Sequence, residues 1–514
     1  MAGKGDAAPS VADVVVVGAG SAGSVIARRL VDAGAQVVLL EAGGVDVNPA
    51  IHDPARLFEL WDGAEDWGYR TAPQAACADR QVHWPRGKVL GGSSALNGMI
   101  YARGHRSDYD AWADAGNEGW GYDDVLPLFK RSEDFDRGAS AYHGAGGPLH
   151  VQSDYERHPV IAAAVDAAQE AGIPFNDDHN GEHLDGVAFV QLNIKDGRRQ
   201  SAAVAFLAPI AGAPGLTVLT GACARRLLFE GGRCSGVEFT RDGAVERVRA
   251  EHEVIVCAGT VESPKLLLLS GIGDAGELGR LGIDVVSDVH GVGRNLHDHV
   301  LSPVIYGASR PVPPPLPGLQ PLHGHLFAHS RPGLPGADMQ PLFFHLPLYL
   351  EGMEGPPDGY TLMAGIIRPA SRGALRLASA DPDAPPLIDP AYLACDVDAD
   401  ALVAALQLCR EIGGRPALAG WSGGELYPGP GVRTARELRD YARSTAITYH
   451  HQVGTCKMGV DADAVVDPQL RVRGVEGLRV ADASVMPFVS SGNTHAPTVM
   501  IGERAADLVR AALS

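Results

Sequence analysis

The sharpest hydrophobic pattern lies at the start of the chain. Residues 14–17 are four consecutive valines, an unbroken β-branched run that suits a strand covered on both faces. The run ends in Gly18-x-Gly20-x-x-Gly23, and a helical pattern follows to Ala33, with Gly34 as its C-terminal stop. Residues 36–40 predict a second strand, which ends at Glu41. In GTVESPKLLLLSGIG (259–273), Leu266 to Leu269 predict a core-facing helix capped by Ser263, opened by Pro264 and ended by Gly271. Residues 478–481 predict a strand running into Asp482, and the apolar, aromatic stretch MQPLFFHLPLYL (339–350) predicts another that walls a pocket. From 310 to 335 proline and histidine are frequent and no regular element suits the pattern. That stretch reads equally as a binding loop or a stiff surface connection.

Chemistry follows from the glycines of the first unit. Gly18 permits the tight turn, Gly20 lets the backbone approach a pyrophosphate at Ser21, and Gly23 lets the helix pack close to the strand. Glu41, eighteen residues past Gly23, is placed to accept hydrogen bonds from an adenosine ribose. Strand, glycines, helix, strand and acid together indicate an ADP moiety, without separating FAD from NAD. In GKVLGGSSALNGMIYARG (87–104), Gly91, Ser93 and Asn97 lie at a loop-to-helix junction whose N–H groups can cradle anionic oxygens. On its own, that stretch reads equally as an ordinary capped loop.

Composition narrows the options. At 514 residues the chain is too long for one simple core and suits two to four units, or two interleaved ones. A net charge of −19 argues against nucleic-acid binding and gives no support for an anionic membrane surface. The seven cysteines are scattered, odd in number and without a CxxC pair, so a reduced inventory is expected rather than disulfides or zinc. The N-terminus carries no apolar leader and no run approaches ~20 apolar residues; the expectation is a cytoplasmic protein with no membrane span. His323, His325 and His329 have spacings that could suggest a metal, but nothing else supports one and none is expected.

Near the C-terminus YHHQVGTCKMG (449–459) sets two histidines side by side. Neighbouring residues point in different directions, so at most one of them aims at a given substrate.

The stretch Gly87-Lys88-x-Leu90-Gly-Gly-Ser-Ser-x-Leu96-Asn97, with Tyr101 and Gly104, resembles the first signature of the glucose–methanol–choline (GMC) oxidoreductases; residues 259–273 resemble the second. DWGYRT, HGAGGPLHV, GVGRNLHDH, RGALRLASADPDAPPLIDPAYL and the segment 477–508 agree, in the family's order, so the resemblance spans residues 13 to 508. It implies an α/β (α+β overall) fold, with a Rossmann-like FAD domain interleaved with a substrate domain on an antiparallel sheet with helices. The FAD domain would take 13–150, completed by 215–300 and 445–510; the substrate domain would take 151–214 and 301–444, leaving 1–12 as a flexible N-terminus.

The implied reaction is oxidation of an alcohol carbon by hydride transfer to flavin N5, with electrons passed to O2, a quinone or another acceptor. The HxxGT motif makes His451 the implied base and His450 a residue that shapes the pocket. Asn493 would hold the alcohol oxygen. Asp482 and Ala483 match the ribityl-phosphate contact, and Ala224 the adenine contact. Pro497 and Thr498 lie in a helix start whose N–H groups face the flavin pyrimidine ring. The chain departs from the pattern twice. His495 replaces a common asparagine, which puts a second histidine near the flavin. Leu96 replaces the histidine through which some oxidases attach FAD, so non-covalent FAD is expected. No carboxylate or aromatic arrangement reads as a quaternary-ammonium cage, so choline chemistry is not favoured over aliphatic, aromatic or polyol alcohols. The alternative is a redox-silent member of the fold, hydroxynitrile lyase-like or fatty-acid photodecarboxylase-like. HxVGTCKMG inclines the reading toward a dehydrogenase; the sequence sets no oligomeric state.

Overall fold

The computed structural model describes residues 9–513. Of the expected flexible segment 1–12, residues 1–8 lie outside the described residues, and the first strand already begins at Val11.

Two sheets dominate. The first is built from β1 (Val11–Val17), β2 (Val37–Glu41), β3 (Leu216–Thr220), β4 (Cys223–Glu230), β5 (Arg233–Arg241), β6 (Ala244–Val256) and β7 (Leu478–Val480), in the order β3-β2-β1-β6-β5-β4. β1, β2 and β3 run parallel to one another and to β6, and β7 lies parallel to the end of β6. β4, β5 and β6 form an antiparallel meander. Val14, Val15 and Val16 are wholly buried, as a strand between two parallel neighbours requires.

The second sheet is antiparallel. Its order is Ser422–Tyr427, Val300–Ala308, Gly359–Ile366, Leu342–Phe344, Leu322–Phe327 and Gly186–Phe189, with Ile447–Thr448 beside the start of Val300–Ala308. Helices Pro159–Glu170 and Asp396–Gly413 pack against it. The expected α/β plan, one mostly parallel sheet interleaved with one antiparallel sheet, is the observed one. Among the described residues no helix is long and apolar enough to cross a membrane.

Three local expectations are corrected. Leu322–Phe327, inside the stretch expected to have no regular element, is an interior strand with all six residues buried. Burial on both faces removed the alternation that marks a half-exposed strand. Of residues 339–350 only Leu342–Phe344 form a strand, between Pro341 and Pro347. The helix of the second signature begins at Gly259, not beside Ser263, and Pro264 stands inside it. Proline cannot donate to the carbonyl four residues back; that carbonyl, of Thr260, accepts from the Thr455 hydroxyl at 2.7 Å.

That exchange stitches the site together. Thr260 Oγ1 donates in turn to the Gln452 carbonyl at 2.8 Å, so the start of α2 (Gly259–Leu269) is tied to the loop that carries His451. α1 (Ser21–Asp32) is clamped to α3 (His495–Leu513) by Arg29 and the fully buried Glu503, 2.7 Å apart. Ser132 also donates to Glu503 at 2.6 Å. This clamp holds the phosphate-loop helix against the helix that opens at His495.

Candidate active site

One continuous cavity runs from the C-terminal ends of β1 and β2 to the second sheet. At the first end, Gly18, Gly20, Ser21, Glu41 and Ala224 line it. Gly18 has φ +102°, and a Cβ there would meet the Cys257 carbonyl at 2.4 Å. Glu41 accepts from the Ala19 and Gly43 amides at 3.0 and 2.8 Å. Burial lifts its carboxyl to about 7, against those two hydrogen bonds. Gly23 and Gly91 stand behind the wall. A Cβ on Gly23 would lie 1.9 Å from the Gly18 carbonyl, and Gly91 takes the left-handed turn (φ +91°) that delivers Gly92 to Gly20. The two glycine turns therefore face each other, as a backbone cradle for phosphate requires.

The middle of the cavity is lined by Ser93, Leu96, Asn97, Asp482, Ala483, His495 and Thr498. Asp482 is held by Ser263 Oγ at 2.5 Å and by the Gly259 amide at 2.9 Å. Asn97 Oδ1 accepts from Arg199 at 2.8 Å. Arg199 is buried, and that burial pulls its pKa down to about 9. His495 Nδ1 meets Ser21 Oγ at 2.9 Å, while its buried Nε2 has no protein partner. Burial, with the Arg199 charge adding, lowers its pKa to about 4. Pro497 lies in the first turn of α3 without reaching the cavity. Facing glycine turns, an acid at the end of β2 and an orphaned ring nitrogen fit a bound dinucleotide.

The far end holds His450, His451 and Asn493. His450 takes a left-handed backbone (φ +67°), so the neighbouring rings part. His450 packs on Trp61 at 4.9 Å, and its carbonyl accepts from Arg86 at 2.9 Å. His451 stacks on Tyr449 at 4.5 Å. Gly454 has φ +94°, and a Cβ there would strike the Asn295 carbonyl at 2.4 Å, which explains the glycine of HxxGT. Asp298 anchors this loop. It accepts from the His451 amide at 2.8 Å, from Thr448 Oγ1 at 2.6 Å and from the Tyr392 hydroxyl.

Hydrogen bonding sets the His451 tautomer. Gln340 Nε2 donates to Asn493 Oδ1 at 3.2 Å, which turns the Asn493 amide nitrogen to His451 Nε2 at 3.1 Å. An amide nitrogen only donates, so Nε2 accepts and the ring proton sits on Nδ1. Nδ1 meets His299 Nδ1 at 3.0 Å, and that nitrogen takes the acceptor role. Burial holds His451 well below its ordinary pKa, with the His299 and His450 rings and the Arg86 charge adding. The result is a neutral imidazole whose lone pair is at Nε2, beside an amide donor.

His323, His325 and His329 do not form a common centre. His323 and His325 are buried in their strand, the first packing on His345 and the second on His179, while His329 turns to Asp185 at 2.9 Å. The sequence reading missed Asp298, His299, Gln340 and Arg86. The HDH triplet in GVGRNLHDH was a visible signal for the first two; Gln340 and Arg86 carry none.

Comparison with known proteins agrees with this geometry. GMC oxidoreductase family models match residues 12–301 and 369–502. The chain is 41% identical to the alcohol dehydrogenase [acceptor] of Pseudomonas putida, over 97% of this chain and 95% of that protein. It is also 41% identical to the mitochondrial choline dehydrogenase of Mus musculus, over 96% of this chain and 89% of that protein. A crystal structure of pyridoxine 4-oxidase from Mesorbium loti superposes with a TM-score of 0.93 at 39% identity, covering 97% of this chain and 99% of that one. The chain thus belongs to the GMC oxidoreductases, and it is an FAD-dependent oxidoreductase acting on alcohol CH–OH groups.

Proposed function

We propose that His451 is the base that removes the hydroxyl proton of the alcohol, and that Asn493 holds the alcohol oxygen while it does so. The observation that carries this reading is the convergence of His451 Nε2 and Asn493 Nδ2, 3.1 Å apart, on one cavity wall. A substrate hydroxyl placed there donates to Nε2 and accepts from the amide. Burial makes an isolated imidazolium costly, so the proton transfers as alkoxide character develops beside it, and the ion pair offsets that cost. His299 keeps the proton on Nδ1 throughout.

FAD would be held by Gly18, Gly20, Ser21, Glu41, Ala224, Asp482, Ala483, His495 and Thr498, and when bound it supplies the two-electron acceptor for the carbon-bound hydrogen. On this reading residues 13–150, 215–300 and 445–510 serve the cofactor, and 151–214 and 301–444 serve the substrate. The alcohol and choline relatives make simple alcohols the first substrates to try. The HxVGTCKMG motif inclines the reading toward a dehydrogenase, with a quinone or another carrier ahead of O2 as the acceptor to try first. The seven cysteines form no disulfide, which supports a reducing compartment, the cytoplasm.

Anaerobic mixing of the yellow protein with an alcohol panel tests this reading. Bleaching of flavin absorbance by an alcohol is expected, with slow recovery when air is admitted. Fast recovery would make the enzyme an oxidase, and no bleaching by any alcohol would return the redox-silent reading.

A further inference from the structure

The cavity beyond Asn493 is walled by Leu57, Phe58, Trp61, Leu301, Phe344 and Met363, a surface almost wholly of hydrocarbon and aromatic faces. Three carboxylates reach the cavity at all. Glu41 is bound by the Ala19 and Gly43 amides, Glu262 by the Tyr69 hydroxyl, and Asp482 by Ser263 and Gly259. Glu41 and Glu262 belong to the first sheet's end of the cavity and Asp482 to its middle, so none of the three stands at the substrate end. Asp298, close to His451, spends its oxygens on Tyr392, Thr448, Gln452 and the His451 amide, and does not line the cavity.

The charge at the substrate end has the opposite sign. Arg86 lines the wall and donates to the Pro85 and His450 carbonyls, and the Asp298 and Asp66 charges act on it from outside the cavity lining. Burial chiefly lowers the basicity of both His450 and His451; the Arg86 charge adds to this, and Asp66 opposes it at His450. The faces of Phe58 and Trp61 could attract a cation, but with no carboxylate to complete a cage and a guanidinium behind His450, the balance goes against one. Neutral polar groups are few. The Tyr349 and Tyr449 hydroxyls are committed to the Pro356 and Gln340 carbonyls, which leaves Gln320 Nε2, Gln452 Oε1 and His450 Nδ1 as the buried unpartnered polar atoms near this end. Three such atoms among so many apolar faces do not match the several hydroxyls of a polyol.

We propose that the substrate is an uncharged alcohol on an apolar body, aryl or aliphatic, and that quaternary-ammonium alcohols and polyols are poor substrates. This rests on the alcohol-oxidising role of His451 and Asn493 and names the substrate class for it.

The test compares choline with 3,3-dimethylbutan-1-ol, which keeps the shape and puts carbon in place of the ammonium nitrogen. The FAD-loaded enzyme is used with an artificial electron acceptor, and benzyl alcohol, 1-hexanol and glycerol complete the set. The expected result is a kcat/KM for the neutral isostere at least about tenfold above that for choline, with benzyl alcohol or 1-hexanol also turned over and glycerol not. Choline equal to or better than its isostere, or glycerol better than 1-hexanol, overturns the substrate class and leaves alcohol oxidation standing. Flavin that no alcohol reduces, including choline, overturns the role of His451 and this inference with it.

Discussion

His451 and His299 meet through their Nδ1 atoms, 3.0 Å apart, with ring planes at 89°. Each ring is buried; the Asn493 amide at Nε2 puts the His451 proton on Nδ1, and the His299 nitrogen accepts it there. Replacing His299 with leucine removes that acceptor and weakens the hold on this tautomer. A buried bond of this kind is worth roughly 1–3 kcal/mol, so flavin reduction is expected to slow by about 5- to 150-fold. His299→Asn supplies an acceptor oxygen and should recover part of the rate. Stopped-flow reduction at equal FAD content measures both; equal rates in the leucine and asparagine variants would contradict the tautomer role.

Stability should fall in mild acid. Burial holds His179 and His323 at about 4 and His297, His299 and His345 at about 3. In the unfolded chain the same rings take a proton near pH ~6.5, so protons favour unfolding. Stability from this source is full above pH ~6.5 and is lost as pH falls toward ~3–4, by up to about 1.4 kcal/mol per ring per pH unit. The melting temperature should therefore drop steadily from pH 6.5 to pH 5, and less steeply in His345→Phe. A melting temperature flat across that range would contradict it.

Glu41 reaches the cavity from the end of β2, where a ribose hydroxyl is expected. Hydrogen bonds to a charged group are worth about 1.5–3 kcal/mol. Glu41→Ala should weaken FAD binding by roughly 10- to 150-fold, and Glu41→Gln by less. Flavin titration of the apoprotein reads both; unchanged affinity in the alanine variant would remove the acid from the ribose site.

Leu96 occupies the position where an attaching histidine would stand, and it lines the cavity. Acid precipitation should therefore leave all the flavin in the supernatant. Yellow colour retained in the washed pellet would mean a covalent bond to another side chain.

Within the first sheet, β1 and β2 were legible because their turn, helix, strand and acid fall within about thirty residues and each element has a local physical cause, whereas β3 to β6 carry no such signal. The strand Leu322–Phe327 was hidden because its burial comes from partners at 186–189 and 342–344, which no local pattern records. The HxxGT motif pointed to His451, but its tautomer depends on Asn493 and on Gln340, just before the strand Leu342–Phe344, with His299, 152 residues earlier, as the acceptor. The start of α2 was misread for the same reason. Pro264 suits a first turn locally, and only the Thr455 hydroxyl makes it acceptable deeper in the helix.

The most direct test of the account is anaerobic flavin reduction by a good alcohol in His451→Ala, with FAD content and affinity measured alongside. Loss of a general base predicts a reduction rate lower by about 10²- to 10⁴-fold, with FAD still bound and alcohol affinity little changed. A variant that keeps its FAD and reduces within about threefold of the parent rate would show that His451 is not the base.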